Sequence, residues 1–305
     1  MQNQDMGYPK DAEATQIPLI SDKLVKPATI RRGLLKWIGN KQRFAAEIVS
    51  FFPPDFGTYY EPFVGSAAVL ATLSPANAVA SDTFPPLIEI LQTLVTNPEK
   101  LKSWYNKRWF ESHSGEKREK YESIKARYNA KPNAGDLLFL CRSCYGGVVR
   151  FRKVDGYMST PCGIHEPISP ESFASRVDEW NRRTSGATFM LTDFRRSMRR
   201  ARPRDLVYCD PPYVNSQSIL YGAQQFSLMD LLSEVADCKR RGVFVAMSID
   251  GKKRSGLHTV ELPLPRGLFE REVFIDGPAS MLKRFQAKGK SLHSERVSDR
   301  LLLTY

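Results

Sequence analysis

The sequence predicts an α/β fold in which a parallel sheet carries crossover helices on both faces. Three observations carry that expectation. Short apolar runs at Ala78 to Asp82, Thr188 to Leu191, Leu206 to Cys209 and Val243 to Ile249 alternate with helical patterns such as Leu87 to Val95 and Ser227 to Arg241. Carboxylates stand where strands end, at Asp82 and Asp210. Small residues link the apolar strand around Tyr59-Tyr60 to the helix that follows it.

Residues 1–33 read as a loose N-terminal extension, polar and proline-punctuated. Lys41 to Phe52 reads as an amphipathic helix stopped by Pro53-Pro54. In the next unit, Thr58 to Leu70, Gly65 is followed by Ser66 and Ala67. With a single glycine, this turn is not the three-glycine dinucleotide fingerprint, so a ligand without a pyrophosphate fits it better. Asp82 ends the next strand about 20 residues on, the position at which such folds hydrogen-bond a ribose hydroxyl pair. The same carboxylate could equally cap the helix that begins near Pro85.

Between 97 and 185 the pattern changes, and the stretch reads as an insertion. Trp104 to Lys131 is rich in Lys, Arg and aromatic residues at helical spacing, and the apolar helix Leu137 to Tyr145 follows. Val148 to Arg152, a turn around Asp155-Gly156, and Tyr157 to Ser159 predict a basic β-hairpin of a size that can enter a DNA groove. Cys141-x-x-Cys144 and Cys162-x-x-His165 have a spacing that would suit zinc. No metal is expected there, because Cys141 and Cys144 fall on the apolar face of a buried helix, where cysteine acts as a small hydrophobe. Cys209 and Cys238 also read as core.

The tetrad Asp210-Pro211-Pro212-Tyr213 follows the strand Leu206 to Cys209. Its two prolines fix both φ angles and remove two donors, so the Asp210 carboxylate, the Pro211 carbonyl and the Tyr213 ring form a preset array. That array suits a flat ring with an exocyclic amino group, which can stack on Tyr213 while donating to Asp210 and the carbonyl. Upstream, Arg195, Arg196, Arg199, Arg200, Arg202 and Arg204 form either a solvated basic face or a phosphate-binding surface. Ser280 to Lys290, with Lys283, Arg284, Lys288 and Lys290, reads as a mobile basic loop before a final strand at Arg300 to Thr304.

A formal charge of +12, from 45 basic against 33 acidic residues, favours a polyanionic partner, nucleic acid above all. No apolar run is long enough to cross a membrane, and Met1 to Lys10 lacks the apolar region of a signal peptide, so an intracellular protein is expected. Five cysteines are too few for a disulfide scaffold, and no hydrolase triad can be picked out.

The set Lys36-Trp37-Ile38-Gly39-Asn40-Lys41, Glu61-Pro62-Phe63-Val64-Gly65, Asp82, Asp193-Phe194 and Asp210-Pro211-Pro212-Tyr213 resembles the Dam-like, alpha-group DNA adenine N6-methyltransferases in residue type, order and spacing. The likeness runs from about residue 34 to the C-terminus. It implies a Rossmann-like class I methyltransferase sheet with helices on both faces, formed by 34–96 and 186–305, plus an inserted helical and β-hairpin recognition region at 97–185. The resemblance also implies S-adenosyl-L-methionine as cofactor, held by Trp37, Lys41, Glu61, Pro62, Phe63, Gly65, Asp82, Asp193, Phe194 and Asp210. Asp210 would face both ligands, and Asp210, Pro211, Pro212 and Tyr213 would form the catalytic set. In the recognition region Tyr145, Arg150, Pro161 and Gly163 match the family pattern. Arg150 is expected to read a guanine edge, with Arg152 and Lys153 on phosphates. Ser66 and Ala67 depart from the family's glycines, Pro85-Pro86 is unusual after the acidic strand end, and Gly146 and Ser159 stand where asparagines are common. No target sequence is therefore implied.

The expected reaction is direct in-line methyl transfer to N6 of an adenine flipped out of double-stranded DNA, by a cytoplasmic monomer of prokaryotic or phage origin. A companion restriction endonuclease is the expected functional partner. Methylation of cytosine N4 or of an RNA adenine is the alternative within enzymes, and an inactive nucleic-acid-binding relative is the alternative outside them.

Overall fold

The computed structural model describes residues 30, 32–152, 154–212, 226–250, 264–277 and 297–305. Seven strands form one sheet: β1 (Tyr59–Glu61), β2 (Ala78–Asp82), β3 (Ala187–Leu191), β4 (Leu206–Cys209), β5 (Phe244–Asp250), β6 (Arg271–Gly277) and β7 (Val297–Leu303). Their order is β3-β2-β1-β4-β5-β7-β6. The first five run parallel, and β7 inserts antiparallel between β5 and β6. From β1 the chain steps outward to β2 and β3, then returns to β4 on the other side of β1. That reversal is the topological switch point at which open α/β sheets bind ligands, outside the carboxyl ends of their strands. Glu61 ends β1 and Asp210 directly follows β4, the two strands that flank it.

Strand β4 explains why its sequence shows no alternation. Leu206 and Tyr208 join one buried cluster, while Val207 and Cys209 join the other, so both faces are covered. The described helices are α1 (Ala45–Ser50), α2 (Ala68–Leu73), α3 (Pro85–Thr96), α4 (Pro98–Ser112), α5 (Lys117–Ala130), α6 (Ala134–Ser143), α7 (Pro170–Thr184), α8 (Phe194–Met198) and α9 (Leu228–Arg240), of which α3 packs on β2 and β3, α8 on β2 and α9 on β5. The expected α/β sheet with helices on both faces is what the chain forms.

Several helix starts follow from capping. Asn97, Glu116, Asn133, Ser169 and Ser227 each accept a backbone N–H from the first turn of the helix that follows. Pro85 and Pro86 occupy the first turn of α3, where no backbone donor is missed. They are compatible with the acidic strand end before them.

Four details differ from the sequence reading. Lys41 to Phe52 is not one helix: a 3-10 turn at Lys41–Arg43 precedes α1, and the Asn40 side chain caps it by accepting from Gln42 N. The Leu137 to Tyr145 helix begins at Ala134 and ends at Ser143, leaving Cys144 in extended backbone, though still buried. The hairpin is reduced to one bridge, Phe151 to Met158, with flanking bonds from Arg152 N to Tyr157 O and Ser159 N to Arg150 O. Its ladder is short because the Asn129 side chain takes both the N–H and the C=O of Met158, and Thr160 Oγ1 accepts from Arg150 N. Finally, α7, α8 and β6 were not read as elements. The N-terminal extension up to residue 29 and the basic stretch 280–290 lie outside the described residues.

The helices between 97 and 185 share the larger buried cluster with β1, β2 and α3. They also grip the segment before the sheet. Arg142 donates to the carbonyls of Gly33 and Leu34, Arg176 donates to that of Gly33, and Trp180 Nε1 donates to that of Arg32.

Candidate active site

Asp210 leaves the end of β4 and meets Lys41, whose Nζ lies 3.1 Å from Asp210 Oδ1 and 3.1 Å from Asp299 Oδ2. Lys41 is 7% exposed, an environment that a lone ammonium does not tolerate. Burial pushes its pKa down, but Asp210 and then Asp299 reverse this and hold it above its ordinary value. The ammonium thus stays charged and ties the first turn after Asn40 to two strands of the sheet.

Beside it, Glu61 at the end of β1 is 3% exposed and accepts a hydrogen bond from Tyr59 Oη at 2.8 Å. Burial pushes its carboxyl up to about 8, against the hydrogen bonds from Tyr59 and the Leu70 backbone that favour the ionised form. Below it, Tyr208 and Ser248 share a buried hydroxyl pair at 2.9 Å.

The turn after β1 is built around Gly65, at φ +46, where a Cβ would sit 3.5 Å from the Trp37 ring. Asp82 holds this turn from the next strand, accepting from Gly65 N at 3.3 Å through Oδ2 and from Phe84 N at 3.1 Å through Oδ1. Burial raises its pKa, and those two amides oppose the rise. Asp82 is therefore bonded to the start of the α3 segment and to the Gly65 turn at once. Ala67, one of the two residues standing where the family has glycine, adopts the left-handed region at φ 59, ψ 29. A Cβ there costs roughly 1 kcal/mol, which accounts for glycine being the usual residue, yet the turn keeps its shape.

These groups surround a cavity of about 370 Å³ lined by Trp37, Lys41, Glu61, Pro62, Phe63, Gly65, Asp82, Asp193, Phe194, Asp210 and Pro212 among others. Every residue expected to hold the cofactor is thus on one wall or another. Pro211 is buried beside them without lining the cavity, and Tyr213 and Lys153 lie outside the described residues. Phe84 and Phe226 also line it and were not singled out from the sequence. Phe63 stacks on Phe194 at 5.2 Å and meets Phe226 edge-on at 5.8 Å, forming an aromatic end to the cavity. Asp299 was missed as well: it precedes the final strand expected at Arg300 to Thr304, and between Ser298 and Arg300 it stands among polar residues that give it no distinguishing signal.

The expected DNA contacts lie elsewhere. Tyr145 is 45% exposed, and Arg150 is exposed on the loop that carries the Phe151 bridge. Arg152 pairs with Asp155 and lies 4.3 Å over the Tyr157 ring. Of the arginine run, Arg195 pairs with Asp193 and Asp230, Arg199 with Glu234, and Arg204 with Asp55. At those three positions the run serves to tie α8, α9 and neighbouring loops together. Cys141 and Cys144 are core residues whose thiols burial pushes up to about 11 and about 12. Among the described residues no group of three or more His, Cys, Asp or Glu is placed to hold a metal ion, and no helix is long and apolar enough to cross a membrane.

Residues 37–257 match the family described as D12 class N6 adenine-specific DNA methyltransferase. The chain belongs to that family. It is an enzyme that methylates adenine N6 in DNA, with S-adenosylmethionine as methyl donor. A DNA adenine methylase of Vibrio cholerae is 29% identical over 231 residues, covering 72% of this chain and 81% of that one. A type II methyltransferase of Lactococcus lactis subsp. cremoris, M1.LlaDCHI, is 25% identical over 71% of this chain and 80% of its own. The DNA N-6-adenine-methyltransferase of Escherichia phage P1 is 25% identical over 75% of this chain and 31% of its own length.

For a D12 methyltransferase the residues present fit the donor. The rings of Phe63, Phe194 and Phe226 offer faces and edges to a purine, Asp82 is a hydroxyl acceptor, and Asp210 is a carboxylate for a cationic group. The single glycine of the turn makes no cradle for a pyrophosphate, which this donor lacks.

Proposed function

We propose that the enzyme is site-specific for duplex DNA and that Asp210 is the residue that holds the adenine amino group for transfer. The observation that carries this reading is the position of Asp210 at the carboxyl end of β4, lining the cavity and bonded to Lys41. Asp210 accepts an N–H bond of N6, which aims the nitrogen lone pair and concentrates its electron density. S-adenosylmethionine supplies an electrophilic methyl carbon on a sulfonium. Trp37, Lys41, Glu61, Pro62, Phe63, Gly65, Asp82, Asp193 and Phe194 hold the donor in the same cavity. The target base reaches the site only out of the stack, at a cost of a few kcal/mol offset by stacking on Tyr213 and by contacts to phosphates.

Residues 97–185 serve as the target-recognition region in this reading, with 34–96 and 186–305 as the catalytic domain. Tyr145, Arg150, Arg152 and Lys153 contact DNA, and Arg150 reads a guanine. The enzyme acts as a monomer in the cytoplasm of a prokaryote or of a phage-infected cell, in keeping with its bacterial and phage relatives. A cognate restriction endonuclease is its functional counterpart, a role that the type II methyltransferase among those relatives supports.

Incubation with labelled S-adenosylmethionine and duplex DNA, followed by nucleoside separation, tests the reading. N6-methyl-2′-deoxyadenosine, arising at one sequence, is the expected product. N4-methylcytosine, label confined to RNA, or methylation without sequence preference would contradict it.

A further inference from the structure

We infer that Asp299 is a positioning residue for methyl transfer, sharing the Lys41 ammonium with Asp210 and thereby setting how strongly that ammonium draws on the Asp210 carboxylate. The inference rests on the reading of Asp210 given above.

Asp299 comes from β7, beyond the residues that match the family description. Because β7 runs antiparallel, its amino end lies level with the carboxyl end of β5, in the register Asp250 to Asp299. This brings an acid from the end of the chain to the rim that carries Asp210. Lys41 Nζ then stands 3.1 Å from one oxygen of each carboxylate. The side chains of Lys41 and Asp299 are each 8% exposed, so solvent does little to screen this triad.

The arrangement has a chemical consequence. An ammonium facing one carboxylate would satisfy itself there and compete with the adenine amino group for Asp210. Shared with Asp299, it leaves Asp210 a better acceptor for N6–H. Asp299 also brings a negative charge within 3.1 Å of Lys41 Nζ on the cavity wall, so it would favour a cationic donor over a neutral thioether of the same shape.

The test compares Asp299→Asn with the unaltered enzyme, measuring kcat and KM for DNA, and the Kd of both S-adenosylmethionine and S-adenosylhomocysteine by calorimetry. The expected result is a kcat lower by about tenfold or more, an unchanged KM for DNA, and a preference for the sulfonium over the thioether that falls several-fold. Equal changes in the two Kd values would mean a merely structural role and would overturn the inference, as would an unchanged kcat. If Asp299→Asn does not fold, Asp299→Glu reads the same quantities. It keeps the charge, so the sulfonium preference should stay within about twofold while kcat drops, and a lost preference would overturn the inference. Asp210→Asn run alongside separates the two readings. Full activity of Asp210→Asn sinks the role of Asp210 itself, whereas an inactive Asp210→Asn beside an unaffected Asp299→Asn sinks only the role of Asp299.

Discussion

Phe84, on the cavity wall, meets Phe151, on the loop that carries Arg150 and Arg152, edge to face with ring centroids 5.4 Å apart. Phe84 also approaches Trp37 at 6.3 Å, and Phe151 approaches Tyr128 of α5 at 6.4 Å. A line of four rings therefore runs from the donor cavity to the helices of the 97–185 stretch.

Phe151→Ala breaks that line at its middle. The loss of packing and of the edge-to-face contact should lower stability by about 1–3 kcal/mol. Because the loop loses its seat, KM for DNA should rise several-fold while S-adenosylmethionine affinity changes less. Urea unfolding and steady-state kinetics measure both effects, and equal losses of the two affinities would contradict the expected order.

Glu61 gives the fold a pH dependence of unusual sign. Below pH 4.5, the ordinary glutamate value, both folded and unfolded states hold the proton and no penalty exists. Between there and about 8 the unfolded chain releases a proton that the folded chain keeps, so stability falls as pH rises. Above about 8 both forms are ionised and the loss, on the order of a few kcal/mol, is complete. Glu61→Gln should flatten this slope, seen as a smaller difference in Tm between pH 5 and pH 8 than the unaltered protein shows.

Asp210→Ala should abolish detectable transfer, a fall in kcat of about 10²–10⁴-fold or more, with the fold retained because Lys41 keeps Asp299 as a partner. Circular dichroism and labelled-methyl incorporation check the two halves of this statement. Substantial transfer by the folded variant would exclude the assigned role.

Asp136 anchors the helices of the 97–185 stretch. Its side chain is fully buried and accepts from Arg108, Arg127 and Asn133, with Arg127 also bonded to Glu111. Asp136→Ala leaves two guanidinium groups without that acceptor and should cost about 3–5 kcal/mol. Chemical denaturation measures the loss, and a change within 0.5 kcal/mol, the range usual for surface substitutions, would show the cluster to be unimportant.

The parts of the site that were legible in the sequence are those made locally. A buried parallel strand reads as an unbroken apolar run, and its end is marked when a carboxylate and two prolines follow, so Asp210 stands out, as do Gly65 and Asp82. Asp299 did not, because its place depends on β7 pairing antiparallel with β5 about 50 residues away, a contact that no local pattern announces. The shortened hairpin has a similar cause, since the Asn129 side chain that replaces part of its ladder comes from α5. Helix α7 was legible and passed over: Ser169 followed by Pro170 is a clear start signal, and the buried Phe173, Val177 and Trp180 hold helical spacing.

The grip of Arg142, Arg176 and Trp180 on the carbonyls of residues 32–34 bears on any attempt to retarget this enzyme by grafting. A chimera that takes only the helices between 97 and 185 from a relative would set foreign side chains against a strand of main chain they were not shaped to hold. The carbonyls of Arg32, Gly33 and Leu34 would then lose the donors that Arg142, Arg176 and Trp180 supply, and Trp37, a few residues further on, would lose the anchor that keeps it against the Gly65 turn. A transplant of specificity therefore has to include this leading ribbon as cargo.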